Sequence, residues 1–316
     1  MNALEPESGE LDHAARAGWL AHFGGLTQDQ IAAEMGVSRQ RAQRLVARAM
    51  AEGLIHVRLE HRLASCLRLE ADLARRFGLT EARVAPGLGA GADPARVTAS
   101  AAADLLERYL ARPEPLVIAF GTGRSLSAMA EEVATQDVAR HRVVSLIGNI
   151  APDGSATFYD VILRIAARLR TPHYPMSVPV VFASPEERAL FHSLPPVQAV
   201  VRLAQSADVT FVGVGQLGDD APLYKDGFVT RDELTAMQAA GAAGEIAGSV
   251  YDTAGRYIDT PLTHRMGGVQ VEAGRKAPVV GEAAGAAKRK AIRAALAGRL
   301  LNGLVTDEDT ARALLS

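Results

Sequence analysis

Cysteine is almost missing. Cys66 is the only one in 316 residues, which excludes an intrachain disulfide framework and a cysteine-based structural zinc site. The eight histidines never fall four residues apart, so the paired helical ligands of a zincin-type centre are missing as well, and neither a metal nor a cofactor is expected. No charge of one sign dominates: 34 basic side chains face 36 acidic ones, and the net of −2 gives no global field toward nucleic acid or membrane. Apolar runs such as Leu116–Phe120 and Val209–Val214 have the length of strands, far short of a bilayer span. The first base is Arg16, so no charged region precedes an apolar stretch and no signal peptide is expected. A soluble, cytoplasmic chain without membrane contacts is the expectation. Its 48% hydrophobic content suffices for one large core and a small second domain.

The neutral total hides a local asymmetry. Residues 1–35 carry six acids and one base, whereas 36–62 carry six arginines against Glu52 and Glu60. The same segment reads as three helices. Leu11, Ala14, Ala15, Gly18, Trp19, His22 and Phe23 form a helix-period stripe. Thr27 with Gln30 is a capping-box pattern opening a helix over 28–35, Gly36 supplies the turn, and Ser38 caps a helix from Arg39 to about Met50. On that last helix Ala42, Leu45, Val46 and Ala49 share one face, and Arg39, Gln40, Gln43 and Arg44 share the other. Arginine and glutamine make two-pronged hydrogen bonds to guanine and adenine edges in the major groove. Thr27, Gln30 and Ser38 at the helix starts are placed to touch phosphate, as is Arg58 in an alternating, wing-like segment Leu54–Leu59. The pattern predicts a helix-turn-helix DNA-binding domain over 1–58, its second helix the reader; the plain alternative is a helical hairpin with a solvated arginine face. A further helix over 60–77 either links and pairs subunits or packs on its own core, which gives a linker over 59–78.

From 79 to 316, apolar segments of four to seven residues alternate with helices, which predicts a Rossmann-like α/β domain with a mostly parallel sheet covered on both faces. Strands are expected at Leu116–Phe120, Arg142–Gly148, Val178–Phe182, Asp208–Val214, Pro278–Gly281 and Gly303–Val305, with a hairpin turning at Asp252–Gly255 and a last helix capped by Thr306. Ligands of such sheets sit at the carboxyl ends of strands. Three loops there stand out. Gly121, Thr122, Gly123, Arg124 and Ser125 leave a strand and open a helix, an anion cradle or else a tight structural turn. It is neither a P-loop, lacking the Lys-Ser/Thr, nor the dinucleotide fingerprint, lacking the third glycine. Gly281–Lys290 holds Lys288 and Lys290, two of only four lysines, at a helix start where an external anion would relieve them, or else a solvated basic helix end. Gly213–Gln216, with Glu245 downstream, is placed to offer acceptors to sugar hydroxyls.

The runs Ala15–Trp19, Gly25–Gln28, Gln30–Ala32, Val37–Arg39, Gln43–Leu45 and Glu52–Leu54 resemble the DNA-binding domain of SorC-type sugar-responsive transcriptional regulators. Phe120–Arg124, Asp208–Gly215, Gly241–Glu245, Gly281–Lys288 and Asn302–Glu308 extend the resemblance, in order, over nearly the whole chain. Tyr159–Ile162 and Ser184–Glu187 look most like the polyol-operon regulators of that family. The resemblance implies an effector domain similar to sugar-phosphate isomerases and deaminases, and homo-oligomers, dimers or tetramers, on palindromic double-stranded operators. It implies that Gly121–Ser125 and Lys288 hold the phosphate or terminal hydroxyls of a sugar, polyol or sugar-phosphate effector, and Glu245 its hydroxyls, with Asn149, Asp160 and Gln216 as further contacts. Some members hold an aldehyde effector on a lysine after the second strand; residues 149–170 here contain none. The competing reading is a sugar-phosphate isomerase with an accessory DNA-binding domain, for which Glu245 and Asp160 are the acid–base candidates. No paired-carboxylate motif supports it, so no catalytic residue is assigned.

Overall fold

The computed structural model describes residues 5–55, 63–89, 91–156 and 160–316, with side chains from residue 9 onward. The chain divides into two compact units, Met1–His61 and Arg62–Ser316. The first holds α1 (Glu5–His22), α2 (Gln28–Met35) and α3 (Arg39–Ala51). Both halves of the Thr27–Gln30 capping box form, Gly36 turns through the left-handed region at φ 63°, and the Ser38 hydroxyl accepts the Arg41 amide. The core between the helices is built largely of alanines, Ala14, Ala17, Ala42 and Ala49, around Ile31 and Leu45. Such small residues let the helices approach closely; a Cβ on Gly18 would lie 2.2 Å from Ile55 Cδ1. The expected stripe on α1 is therefore partly out of phase. Contact follows the Ala14–Ala17–Ala21 line, and Trp19 and Phe23 face outward, stacked with centroids 4.3 Å apart. The wing, from His56 on, and Arg58 with it lie outside the described residues.

The second unit begins with α4 (Ala64–Phe77), β1 (Glu81–Ala85), α5 (Pro94–Leu110), β2 (Val117–Phe120), α6 (Arg124–Glu132) and β3 (Arg142–Ile150). Next come α7 (Val161–Leu169), β4 (His173–Pro179), α8 (Pro185–Ser193), α9 (Pro195–Gln205), β5 (Val209–Gly213), α10 (Pro222–Lys225) and α11 (Arg231–Ala239). A hairpin, β6 (Ala242–Ile246) and β7 (Ser249–Asp252), precedes β8 (Val279–Glu282), α12 (Arg289–Ala297), β9 (Gly303–Asp307) and α13 (Glu308–Leu315). Seven strands form one sheet in the order β1-β9-β8-β5-β2-β3-β4, every pairing parallel. Alternate residues feed opposite faces. Ile118 and Phe120 pack with α5, α6 and α7, while Val117 and Ala119 join the core formed with α4, α12 and α13. Helix α4 thus packs on the core of its own unit through Cys66 and Leu73.

Three strands differ from the sequence expectation. β1 and β4 are the sheet's two edges, and edges tolerate what central strands do not. Glu81 and Arg83 interrupt β1, and β4 contains Pro175 and Pro179, so the latter runs over His173–Pro179 rather than Val178–Phe182. β6 reads as loop because Gly244 sits in it; a Cβ there would meet the Tyr251 hydroxyl at 2.5 Å and Ala291 Cβ at 2.6 Å. The expected turn at Asp252–Gly255 exists, closed by the Gly255 amide on the Asp252 carbonyl, but it follows the main hairpin rather than forming it. The last helix is capped by Asp307, whose carboxylate accepts the Thr310 amide, and not by Thr306, which is buried within β9.

That turn meets the end of α12 without intervening side chains. A Cβ on Gly298 would lie 2.3 Å from the Gly255 carbonyl oxygen and 2.5 Å from its Cα. Gly298→Ala is expected to lower unfolding stability by about 1–3 kcal/mol through backbone displacement. Gly9→Ala, on α1 with nothing within 4 Å of the new Cβ, should cost nothing. Urea denaturation of the two variants beside wild type checks the pair.

Candidate functional site

Three strand ends and the hairpin meet at the carboxyl edge of the sheet. The Gly121 amide donates to the Phe211 carbonyl at 2.8 Å, the last rung between β2 and β5. Beyond it Gly123, at φ 116°, opens α6 with no side-chain cap, so the first-turn amides have no intrahelical partner. After β5, Gly215 and Glu245 exchange both backbone hydrogen bonds at 3.0 Å, which stitches the β6–β7 hairpin to the sheet edge. Gly215 has to lack a side chain, because a Cβ would lie 1.9 Å from Glu245 Oε1. The Glu245 carboxylate is further fixed by the Gly248 amide, at 2.8 Å from Oε2. After β8, Gly285 at φ 98° starts the 3-10 turn Ala286–Lys288.

These segments enclose one cavity of about 860 Å³, its mouth included. Gly121, Thr122, Gly123, Arg124, Ser125, Glu245 and Lys288 all line it, so most of the sequence-predicted effector residues come together. Three do not. Gln216 folds back on its own loop, donating to Asp220 at 2.8 Å and accepting from the Gly218 amide. Asp160 caps α7, accepting the Leu163 amide. Asn149 lies on β3 two residues beyond the cavity-lining Ile147, and its Oδ1 has no hydrogen-bond partner among the described residues. Conversely, the segment Pro222–Phe228 supplies a wall that sequence reasoning missed, with Leu223 and Phe228 apolar and Asp226 charged. The only local signal for it is a proline-led short helix.

The cavity's charges act on one another. Burial pushes the Lys288 ammonium down from its ordinary value, opposed chiefly by Glu245 and Glu282. Burial likewise raises Glu245, against the Gly248 hydrogen bond and Lys288. Lysine at this helix start thus lies in the field of the protein's own acidic groups. Glu282, fully buried behind the cavity, accepts from the Thr98 hydroxyl at 2.9 Å, and its second oxygen has no partner among the described residues.

In the first unit Arg39, Gln40, Gln43 and Arg44 are all exposed, while Ala42, Leu45 and Ala49 are buried beneath them. Arg41 and Arg48 have structural work: both bind Glu10 of α1, at 3.2 and 2.8 Å. Arg39 lies 3.4 Å from Asp29. Thr27 and Gln30 bond each other, and Ser38 bonds its own helix. Among the described residues Gln40, Gln43 and Arg44 make no side-chain hydrogen bond or ion pair.

A helical unit that presents a glutamine–arginine face, on one chain with an α/β domain holding a small-molecule cavity of apolar walls and four charged side chains, defines the class of ligand-responsive transcriptional regulators. The chain belongs to the SorC-type family of sugar-binding transcriptional regulators: a sugar-binding-domain family matches residues 61–316 and the MarR family matches residues 17–62. It is 33% identical over 302 residues to the erythritol catabolism regulatory protein EryD of Brucella abortus, with 96% of each chain covered. To the transcriptional regulator LsrR of Enterobacter sp. (strain 638) it is 32% identical over 313 residues, covering 97% of this chain and 94% of that one. The full-length sorbitol operon regulator SorC of Klebsiella pneumoniae superposes with a TM-score of 0.72 at 26% identity, over 98% of this chain and 100% of that one.

Glu282 carries a pH signature. Burial lifts it from 4.5 to about 8, against the Thr98 hydrogen bond and Lys288. The folded state therefore keeps a proton that the unfolded state releases above pH 4.5, so stability falls as pH rises from there toward 8. By pH 7 the loss from this one group is on the order of 3 kcal/mol. Glu282→Gln, which keeps an acceptor for Thr98, should gain on wild type steadily between pH 5 and pH 8 in denaturation experiments; parallel curves would refute the assignment.

Proposed function

We propose that this chain is an effector-controlled DNA-binding regulator of a polyol or related carbohydrate catabolic operon, working in the cytoplasm as a homo-oligomer on a palindromic operator. The observation that carries the reading is the convergence of the uncapped α6 start, Lys288 and Glu245 on one cavity. An uncapped helix start with a lysine suits a phosphate ester, and an anchored carboxylate suits hydroxyl groups. The effector in this reading is a short polyol or sugar, phosphorylated at the end that meets Gly121–Ser125 and Lys288. Gln40, Gln43 and Arg44 read base edges from α3, while Thr27, Gln30, Ser38, Arg39 and Arg58 serve phosphates. The regulator names of the relatives support this over an isomerase. So does Asp160, which caps a helix instead of facing Glu245 across the cavity.

Lys288→Ala is expected to abolish the effector's influence on operator binding while leaving operator affinity itself intact. Titrating sugar phosphates and free polyols into the protein–operator complex checks it, and an unchanged response in the variant overturns the site. Wild type should gain roughly 2.7 kcal/mol of stability at an effector concentration 100 times Kd. Gln43→Ala or Arg44→Ala should weaken the specific operator by about 1–3 kcal/mol and relax discrimination at the contacted base. Binding of both variants indistinguishable from wild type, measured by fluorescence anisotropy on native and scrambled operators, removes α3 as the reader.

A further inference from the structure

Four charged side chains line the cavity: two cations, Arg124 and Lys288, and two carboxylates, Asp226 and Glu245. Their formal charges cancel. Lys288 is influenced by Glu245 and Glu282 and also by Arg124, and the cation that acts on Asp226 is Arg124. Arg124 and Asp226 are both exposed, at the mouth. The Asp226 carboxylate cannot easily be withdrawn, because its backbone closes a tight turn. Its amide donates to the Pro222 carbonyl at 2.8 Å, and the Phe228 amide donates to Leu223 at 2.9 Å. Leu223 and Val229 are buried on either side of that turn. The adjacent Lys225 is directed to Asp220 at 4.0 Å, and Asp226 has no ion-pair partner within that distance among the described residues.

We infer that Asp226 is a specificity-determining residue that restricts the effector to a single strongly anionic group. The inference rests on the effector reading above. A first phosphate takes the α6 amides and Lys288. Of the charges then left lining the cavity, Arg124 is one cation against two carboxylates, Asp226 and Glu245. A second anionic group, whether a second phosphate or a terminal carboxylate, therefore meets a lining with an excess of negative charge. Elsewhere the walls are uncharged, formed by Ile147, Val180, Val214, Leu223 and Phe228, and offer such a group no counter-charge. A neutral hydroxyl end meets no such penalty, and Asp226 gives it an acceptor.

The test is calorimetric titration of the full-length protein with a hexitol 6-phosphate and with the corresponding 1,6-bisphosphate. Wild type is expected to favour the monophosphate. Asp226→Asn should raise bisphosphate affinity by about tenfold, the scale of one like-charge contact in partly screened surroundings, and monophosphate affinity much less. Asp226→Glu should keep the wild-type ratio, which separates a charge effect from a disturbed turn. Wild type binding the bisphosphate as tightly as the monophosphate, or an Asp226→Asn ratio equal to wild type, overturns the inference. Lys288→Ala distinguishes the two levels. If the monophosphate binds and needs Lys288 while the ratio ignores Asp226, only this inference falls; if neither ester binds wild type, the effector reading falls with it.

Discussion

Phe120 and Phe211 lie in register on β2 and β5, their rings stacked 5.7 Å apart at 17°, and this parallel pairing decides where the rest of the second unit goes. Strands that follow β2 add outward on one side, β3 and then β4. Those that follow β5 add on the other, β8 and then β9. The chain therefore leaves β2 toward one face, where α6 packs, and leaves β5 toward a separate cluster around Leu217, Leu223 and Leu234. Where the order reverses, the departing loops diverge and leave a crevice at the carboxyl edge, the usual place for a ligand in such sheets. Without the β2–β5 register, Gly121–Ser125 and Gly213–Gly215 would not face a common space.

The crevice alone is a row of amides with a lysine. Glu245 adds a fixed carboxylate to it, and Glu245 arrives by a contact no local pattern encodes. The β6–β7 hairpin reaches the sheet through one backbone bridge, Gly215 to Glu245, and the carboxylate occupies the volume a side chain at 215 would fill. Its burial opposes its ionisation, and so does the burial of Lys288 for the opposite charge. Each charge opposes the effect of burial on the other, together with the Gly248 amide on Glu245, an arrangement that gains little stability by itself. In the proposed reading an added anion or hydroxyl would shift the balance of both. A regulator needs such a shift: an effector moves an equilibrium only by its difference in affinity for two arrangements.

What was legible in the sequence followed the range of the interactions. Helix starts are set by hydrogen bonds three residues long, so Thr27 and Ser38 could be read directly, and each caps the helix it precedes. β2, β3, β5, β8 and β9 are apolar because helices cover both faces, and they read as strands. The edges β1 and β4 carry charge or proline and did not. The loops after β2 and β8 announced themselves by glycine beside cations, and Glu245 was placed as a downstream acceptor that the family resemblance then reinforced. Asp226 and Phe228 stayed hidden because only the fold sets them opposite Arg124, about a hundred positions away in the chain. The same limit sent Gln216, Asn149 and Asp160 into the expected effector contacts: strand ends were known, but not which way the side chains beyond them turn.

The first unit answers the charge asymmetry in a way composition conceals. Glu10 takes up Arg41 and Arg48, and Asp29 lies against Arg39, so the acidic first helices consume part of the basic third. The exposed pairs are individually weak, but together they lower the field that α3 offers to phosphate. Affinity for DNA of any sequence grows with the number of phosphates neutralised; a unit built this way keeps that component small. Gln40, Gln43 and Arg44, without side-chain partners among the described residues, are in the proposed reading the side chains that would make the two-pronged bonds distinguishing one base from another. Internal pairing of the surplus arginines thus favours the ratio of specific to non-specific binding, the quantity that matters for finding one operator among a genome of competing sites.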